Sequence, residues 1–155
     1  MSLETKPPRR SLLVYSALAT ERWREALTSG ADMVMFDLED GTAEPRKDEG
    51  RAAILDCFQQ LDGAIGPQCL LRINSPRTAH GLRDLIAVLD AERPPSGLVL
   101  PKVRHPEEVC WVADLLAPRH AHVGLIPLIE DQAGVNAAEA IACASPVVDA
   151  LFLGA

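Results

Sequence analysis

Six short apolar runs alternate with five helix-forming segments, and no other feature constrains the fold of this chain as tightly. The runs are 11–16 (SLLVYS), 33–39 (MVMFDLE), 69–74 (CLLRIN), 97–103 (GLVLPKV), 122–130 (HVGLIPLIE) and 148–155 (VDALFLGA). Helices are predicted between them at 20–29, 45–61, 80–91, 106–116 and 133–144. Such alternation implies a parallel sheet covered by helices through right-handed crossovers. Local signals agree. Thr20 is placed to cap the first helix and Gly30 to close it, while Pro45 and Pro106 suit first-turn positions. Pro101 and Pro127 suit strand interiors poorly and are expected near strand ends.

Strand residues of one parity share a face. On that rule Asp37 pairs with Glu39, Arg72 with Asn74, Lys102 with Leu100 and Glu130 with Leu128. Each of these polar residues lies at the C-terminal end of its run, where parallel α/β folds build their sites. The stretch FDLEDG at 36–41 sharpens the point, because it sets three carboxylates within four positions. Their repulsion needs compensation from a metal ion, a cationic substrate, a basic neighbour or solvent at a turn. The arrangement expected is Asp37, Glu39 and Asp40 facing Arg72, Lys102 and a metal across a common mouth.

With 155 residues and 48% hydrophobic content the chain can build the core of one domain. Residues 1–10 (MSLETKPPRR) read as a flexible leader without the apolar core of a signal peptide, and 11–155 as the folded domain. Fifteen Lys+Arg against twenty-two Asp+Glu leave a net charge of −7, which argues against a nucleic-acid surface. No apolar stretch approaches the roughly 20 residues of a membrane span. Cys57, Cys69, Cys110 and Cys143 lack metal-ligand spacing and sit among apolar neighbours. Buried free thiols, and with them a cytoplasmic location, are the expectation.

At these motifs the chain resembles the citrate lyase β-subunit-like (CitE-like) branch of the HpcH/HpaI aldolase superfamily. The carrying pieces are RRSLLV at 9–14, SGADMVMFDLEDG at 29–41 with Lys47 and Arg51 downstream, and LRIN at 71–74. LPKV at 100–103, LIEDQAGVNAAEAI at 128–141 and LFLGA at 151–155 follow in the same order. The resemblance implies a TIM-type (β/α)8 barrel, of which six strands are present here as a partial barrel over 11–155. It implies Mg2+-dependent cleavage or formation of carbon–carbon bonds in 3-hydroxyacyl-CoA thioesters of the citryl-, malyl- or citramalyl-CoA kind. An acetyl-CoA enolate and a keto acid would be the two halves of that reaction. Arg72 would bind the keto-acid carboxylate and Glu130 would ligate Mg2+. The second metal ligand, an Asp in a G-x-x-D-L stretch, and the general acid/base are expected beyond residue 155, in a longer, homo-oligomeric protein. Two departures bear on the CoA phosphates. Ser16-Ala17 stands where the family commonly has Pro-Gly, and Glu25 where a Lys is frequent, with Arg22 and Arg24 near enough to substitute.

Position alone leaves alternatives beside these roles. Arg72 can instead form a structural salt bridge to Asp37 or Glu39. Glu130 can serve the dipole of the helix beginning near Ala133. Asp37, Glu39 and Asp40 are read as acting through water on the metal or holding basic residues such as Arg72 and Lys47, rather than binding the metal directly. Lys102 could form a Schiff base with a keto substrate, but the resemblance is to a metal-dependent branch. His120 and His122 fall at a strand start, away from the chemistry. A keto-acid-binding or assembly subunit, and a thioesterase for the same substrates, stand as the other functions to be separated from a lyase.

Overall fold

The computed structural model describes residues 8–61 and 66–154. Six strands make up the sheet: β1 (Leu12–Ser16), β2 (Met33–Asp37), β3 (Gln68–Arg72), β4 (Gly97–Leu100), β5 (Gly124–Ile129) and β6 (Phe152–Leu153). They alternate with helices α1 (Trp23–Leu27), α2 (Lys47–Gln59), α3 (Ala79–Asp90), α4 (Pro106–His120) and α5 (Gln132–Ala142). Every neighbouring pair is parallel and the strands stand in sequence order, curled into an α/β half-barrel. Residues 1–7 of the expected leader, and Ala155, lie outside the described residues. Arg9 and Arg10 are tied down, Arg9 to Gln68 and Asp149, Arg10 to Asp32.

Strand parity sorts the core into two layers. Val34, Phe36, Leu71, Leu98, Leu100, Leu125 and Ile129 face outward and pack under the helices, around Trp23, Ile54, Phe58, Leu85 and Val112. Met33, Met35, Leu70, Val99, Ile126 and Leu128 form a separate cluster on the concave side, against Phe152. The second set has the parity of Asp37, Arg72 and Glu130. An apolar concave face therefore ends, at the C-terminal edge of the strands, in charged groups.

The structure corrects several local expectations. Thr20 begins a short 3-10 turn, Thr20–Arg22, and neither that turn nor α1 has a side-chain cap; α1 is five residues long. Gly30 does take a left-handed φ of 76°, but two residues beyond the helix-ending Thr28. Pro127 lies inside β5 rather than at its end. The backbone groups of Leu125 and Ile129 pair toward β6, so the missing N–H of Pro127 falls on that side. There the pairing breaks between Leu125↔Val148 and Leu128↔Phe152, so the proline sits where the ladder is already interrupted. Among the thiols, Cys57 and Cys69 are buried as expected, whereas Cys143 is exposed.

A buried network seats β3 against its helix. Arg51 Nε donates to Asp84 Oδ1 at 2.6 Å, and Asp84 Oδ2 accepts from the amide and Nδ2 of Asn74. The side chain of Asp84 is fully buried, which a carboxylate tolerates only when paired. The helix presses hard on this turn. A Cβ on Gly81 would stand 2.0 Å from Ser75 O and 2.6 Å from Asn74 O, both backbone atoms. Gly81→Ala is expected to destabilise by about 2 kcal/mol or more, as overpacking against an immovable partner does. Chemical denaturation measures it.

Candidate active site

Asp37, the last residue of β2, lies directly beside Arg72, the last of β3. Its Oδ1 accepts from Arg72 Nε at 2.7 Å and from the Glu39 amide at 2.8 Å. Its Oδ2 accepts from Arg72 Nη2 at 2.5 Å and from the Gly41 amide at 2.6 Å. A carboxylate gripped by a guanidinium fork and two amides is held in one orientation, and so is the guanidinium. The Asp37 hydrogen bonds raise the Arg72 pKa above its ordinary value, outweighing burial, so its charge is permanent. Asp37 takes two of five N–H donors, leaving Nη1 and one hydrogen of Nη2 for a second acceptor.

Glu39 is the other buried carboxylate of FDLEDG. Lys102 Nζ donates to its Oε1 at 2.7 Å, while Oε2 stands 3.5 Å from Arg72 Nη1 and has no hydrogen-bond partner. Burial pushes the Glu39 carboxyl above its usual range against the pull of Lys102, with Asp40 adding to the rise. Asp40 is exposed to solvent. The three carboxylates are thus compensated in three ways: an arginine fork, a lysine, and water. Lys47 contributes differently from what its position suggested. Its buried ammonium donates to the carbonyls of Leu38 and Glu39 at 2.7 and 2.6 Å, bracing the turn's backbone and touching none of its carboxylates.

Lys102 reaches Glu39 by a route that strand parity misplaces. β4 ends at Leu100, which packs outward under the helices, so continuing the strand would have turned Lys102 outward too. The chain instead turns after Leu100, and Lys102 adopts φ 58°, directing its ammonium to Glu39. The Glu39 hydrogen bond raises the Lys102 pKa over a weaker opposing effect of burial.

Glu130 follows β5 and accepts at Oε2 from the Lys102 amide at 2.8 Å. The side-chain cap of the helix that follows comes from the neighbouring residue. Asp131 caps α5, its Oδ1 accepting from the Gly134 amide at 2.9 Å. Contacts therefore run unbroken along the rim, from Asp37 and Arg72 through Glu39 and Lys102 to Glu130. At the opposite end His120 Nε2 contacts Leu89 O, and His122 lines a groove with Gln68, Ser96 and Asp149. Neither approaches the rim. Arg22 is engaged by Glu25 at 2.9 Å and lies 5.4 Å over the Tyr15 ring, which occupies one of the two substitutes for a phosphate-binding lysine.

The donor set suits a hard cation. The described residues hold no cluster of three His, Cys, Asp or Glu side chains that could bind a metal. Mg2+ needs none, taking one or two carboxylates and completing its shell with water and substrate oxygens. Glu130 offers such an oxygen, and Gly154 keeps its flank open. A Cβ there would stand 2.8 Å from Glu130 Cγ and 3.4 Å from Oε1.

Residues 10–155 match the sequence profile of the HpcH/HpaI aldolase/citrate lyase family. The chain belongs to that family. Among relatives, the mitochondrial citramalyl-CoA lyase of Rattus norvegicus is 32% identical over 134 residues, covering 83% of this chain and 39% of the relative. The L-malyl-CoA/beta-methylmalyl-CoA lyase of Rhodobacter capsulatus is 30% identical over 167 residues, covering all of this chain and 52% of that protein. CitE from Mycobacterium tuberculosis, solved in complex with magnesium and pyruvate, superposes with a TM-score of 0.75 at 33% identity. That match covers 95% of this chain and 56% of CitE. The chain thus spans about half, or less, of the family members it matches. No helix among the described residues is long and apolar enough to cross a membrane.

Proposed function

We propose that this chain carries the keto-acid-binding rim of a Mg2+-dependent carbon–carbon lyase for 3-hydroxyacyl-CoA thioesters of the citramalyl-, malyl- or citryl-CoA kind. The observation that carries the reading is the Arg72 fork, locked by Asp37 on the same rim as Glu130. Its N–H groups not bonded to Asp37 suit the carboxylate of a keto acid such as the pyruvate held by CitE. Glu130 would hold the Mg2+, and Glu39 and Asp40 would orient water and Lys102 around it. When bound, the ion supplies positive charge against the keto-acid oxygen. In cleavage, the bond between the hydroxyl-bearing carbon and the thioester α-carbon breaks. The hydroxyl gives up its proton to a base as its carbon becomes the keto-acid carbonyl. The electron pair of the broken bond passes to the acetyl-CoA half as an enolate, which takes up a proton to give acetyl-CoA. Arg72 fixes the carboxylate so that the breaking bond has one orientation, and the apolar layer of Leu70, Val99, Ile126 and Leu128 backs the rim. The six strands are read as part of an eight-stranded barrel, a fold of about 250 residues.

The complete protein is expected to cleave citramalyl-CoA or malyl-CoA to acetyl-CoA and a keto acid, to stop in EDTA and to recover with Mg2+. Chromatography of the CoA esters reads the outcome. Free CoA in place of acetyl-CoA identifies a thioesterase, and keto-acid binding without turnover a binding subunit. Borohydride with the keto substrate is expected to leave Lys102 unlabelled. Labelling there with full activity in EDTA would replace the metal reading with imine chemistry.

A further inference from the structure

Among the described residues Lys102 is the one non-glycine with positive φ. Left-handed backbone is unfavourable for a residue bearing a Cβ, and it persists only where the surroundings over-determine it, most often at functional sites. The surroundings here use every polar group Lys102 has. Its amide donates to Glu130 Oε2 at 2.8 Å, its carbonyl accepts from Arg77 Nη2 at 2.6 Å, and its ammonium donates to Glu39 Oε1 at 2.7 Å. The next residue closes the turn, Val103 N donating to Leu128 O at 3.3 Å. Glycine would adopt this φ without steric cost. What lysine adds is an ammonium that reaches a buried carboxylate.

We propose that Lys102 is a positioning residue for Glu130: its side chain, anchored on Glu39, holds the left-handed turn that aims its own amide at Glu130 Oε2. Oε2 is thereby occupied and the carboxylate fixed, leaving Oε1, beside Gly154, as the oxygen presented to a cation. The two acidic residues then act as one unit through the lysine between them, although they share no contact in the structure. Glu39 stabilises the turn, and the turn orients Glu130. This rests on the reading of Glu130 as a Mg2+ ligand.

Calorimetric titration of the complete protein with MgCl2, paired with thermal melting, tests it. Lys102→Met is expected to weaken Mg2+ binding about tenfold, the usual effect of removing a group that orients a ligand. Glu39→Gln should weaken it equally, and the double variant little further, because both act through one contact. Lys102→Arg, which keeps a cation within reach of Glu39, should recover most of the affinity. Lys102→Gly separates strain from function: it should melt no lower than Lys102→Met yet bind Mg2+ as weakly. Wild-type affinity in Lys102→Met, or additive losses in the double variant, overturns the positioning role alone. A wild-type protein that binds no Mg2+, or an equal titration in Glu130→Gln, overturns the Glu130 reading and this inference with it.

Discussion

Replacing Glu130 by Gln should lower Mg2+-dependent turnover by about 10²-fold or more while leaving the Tm within about 3 °C of wild type. The substitution keeps shape and hydrogen bonding. The amide oxygen of Gln still accepts from the Lys102 N–H, so the turn after β4 keeps its partner. What disappears is the negative charge, and with it the one carboxylate on this rim that Asp131 has freed from capping α5. Steady-state assays over a range of MgCl2 read the loss. If charge is the cause, Glu130→Asp should retain more activity than Glu130→Gln, at a raised Mg2+ requirement. Unchanged Mg2+-dependent turnover in Glu130→Gln would remove Glu130 from the metal site.

Much of this rim is legible in the sequence. Strand parity puts Asp37, Arg72 and Glu130 on the concave face, because each ends or directly follows a regular strand, where the period of two holds. Parity fails at Lys102 and Asn74, for the same reason in both. The chain has already left the strand, and turn dihedrals, not the pleat, set the side-chain direction. Lys102 swings in to Glu39, and Asn74 turns toward Asp84. Asp84 carries a sequence signal of its own: Gly81, Asp84, Leu85 and Val88 follow helical spacing along the buried side of α3. A charged residue inside an apolar stripe demands a buried partner, here Arg51. Lys47 is misplaced by sequence proximity. Its position near FDLEDG suggested a carboxylate partner, and only the path of the turn shows that two carbonyls lie closer to hand.

The alternative weighed for Arg72, a structural salt bridge, is present in full, and it sharpens the expectation for that residue. Arg72→Lys should lower kcat/KM by about 10²-fold, with KM for the keto acid rising in the synthetic direction. An ammonium can neutralise Asp37 but cannot make the two parallel hydrogen bonds that fix the guanidinium, and it has no second edge to offer a substrate. Asp37→Asn tests the other half of the lock. It leaves Arg72 in place with its side chain only 16% exposed and no carboxylate fork, so it should destabilise the fold by about 3 kcal/mol as well as slow turnover. The two variants therefore separate by stability. Arg72→Lys preserves the ion pair and should melt close to wild type, whereas Asp37→Asn should melt several degrees lower. If Arg72 served the fold alone, the order would differ: Arg72→Lys would keep wild-type KM for the keto acid, and activity in both variants would track only their melting temperatures. That result would return Arg72 to the role of a strut between β2 and β3.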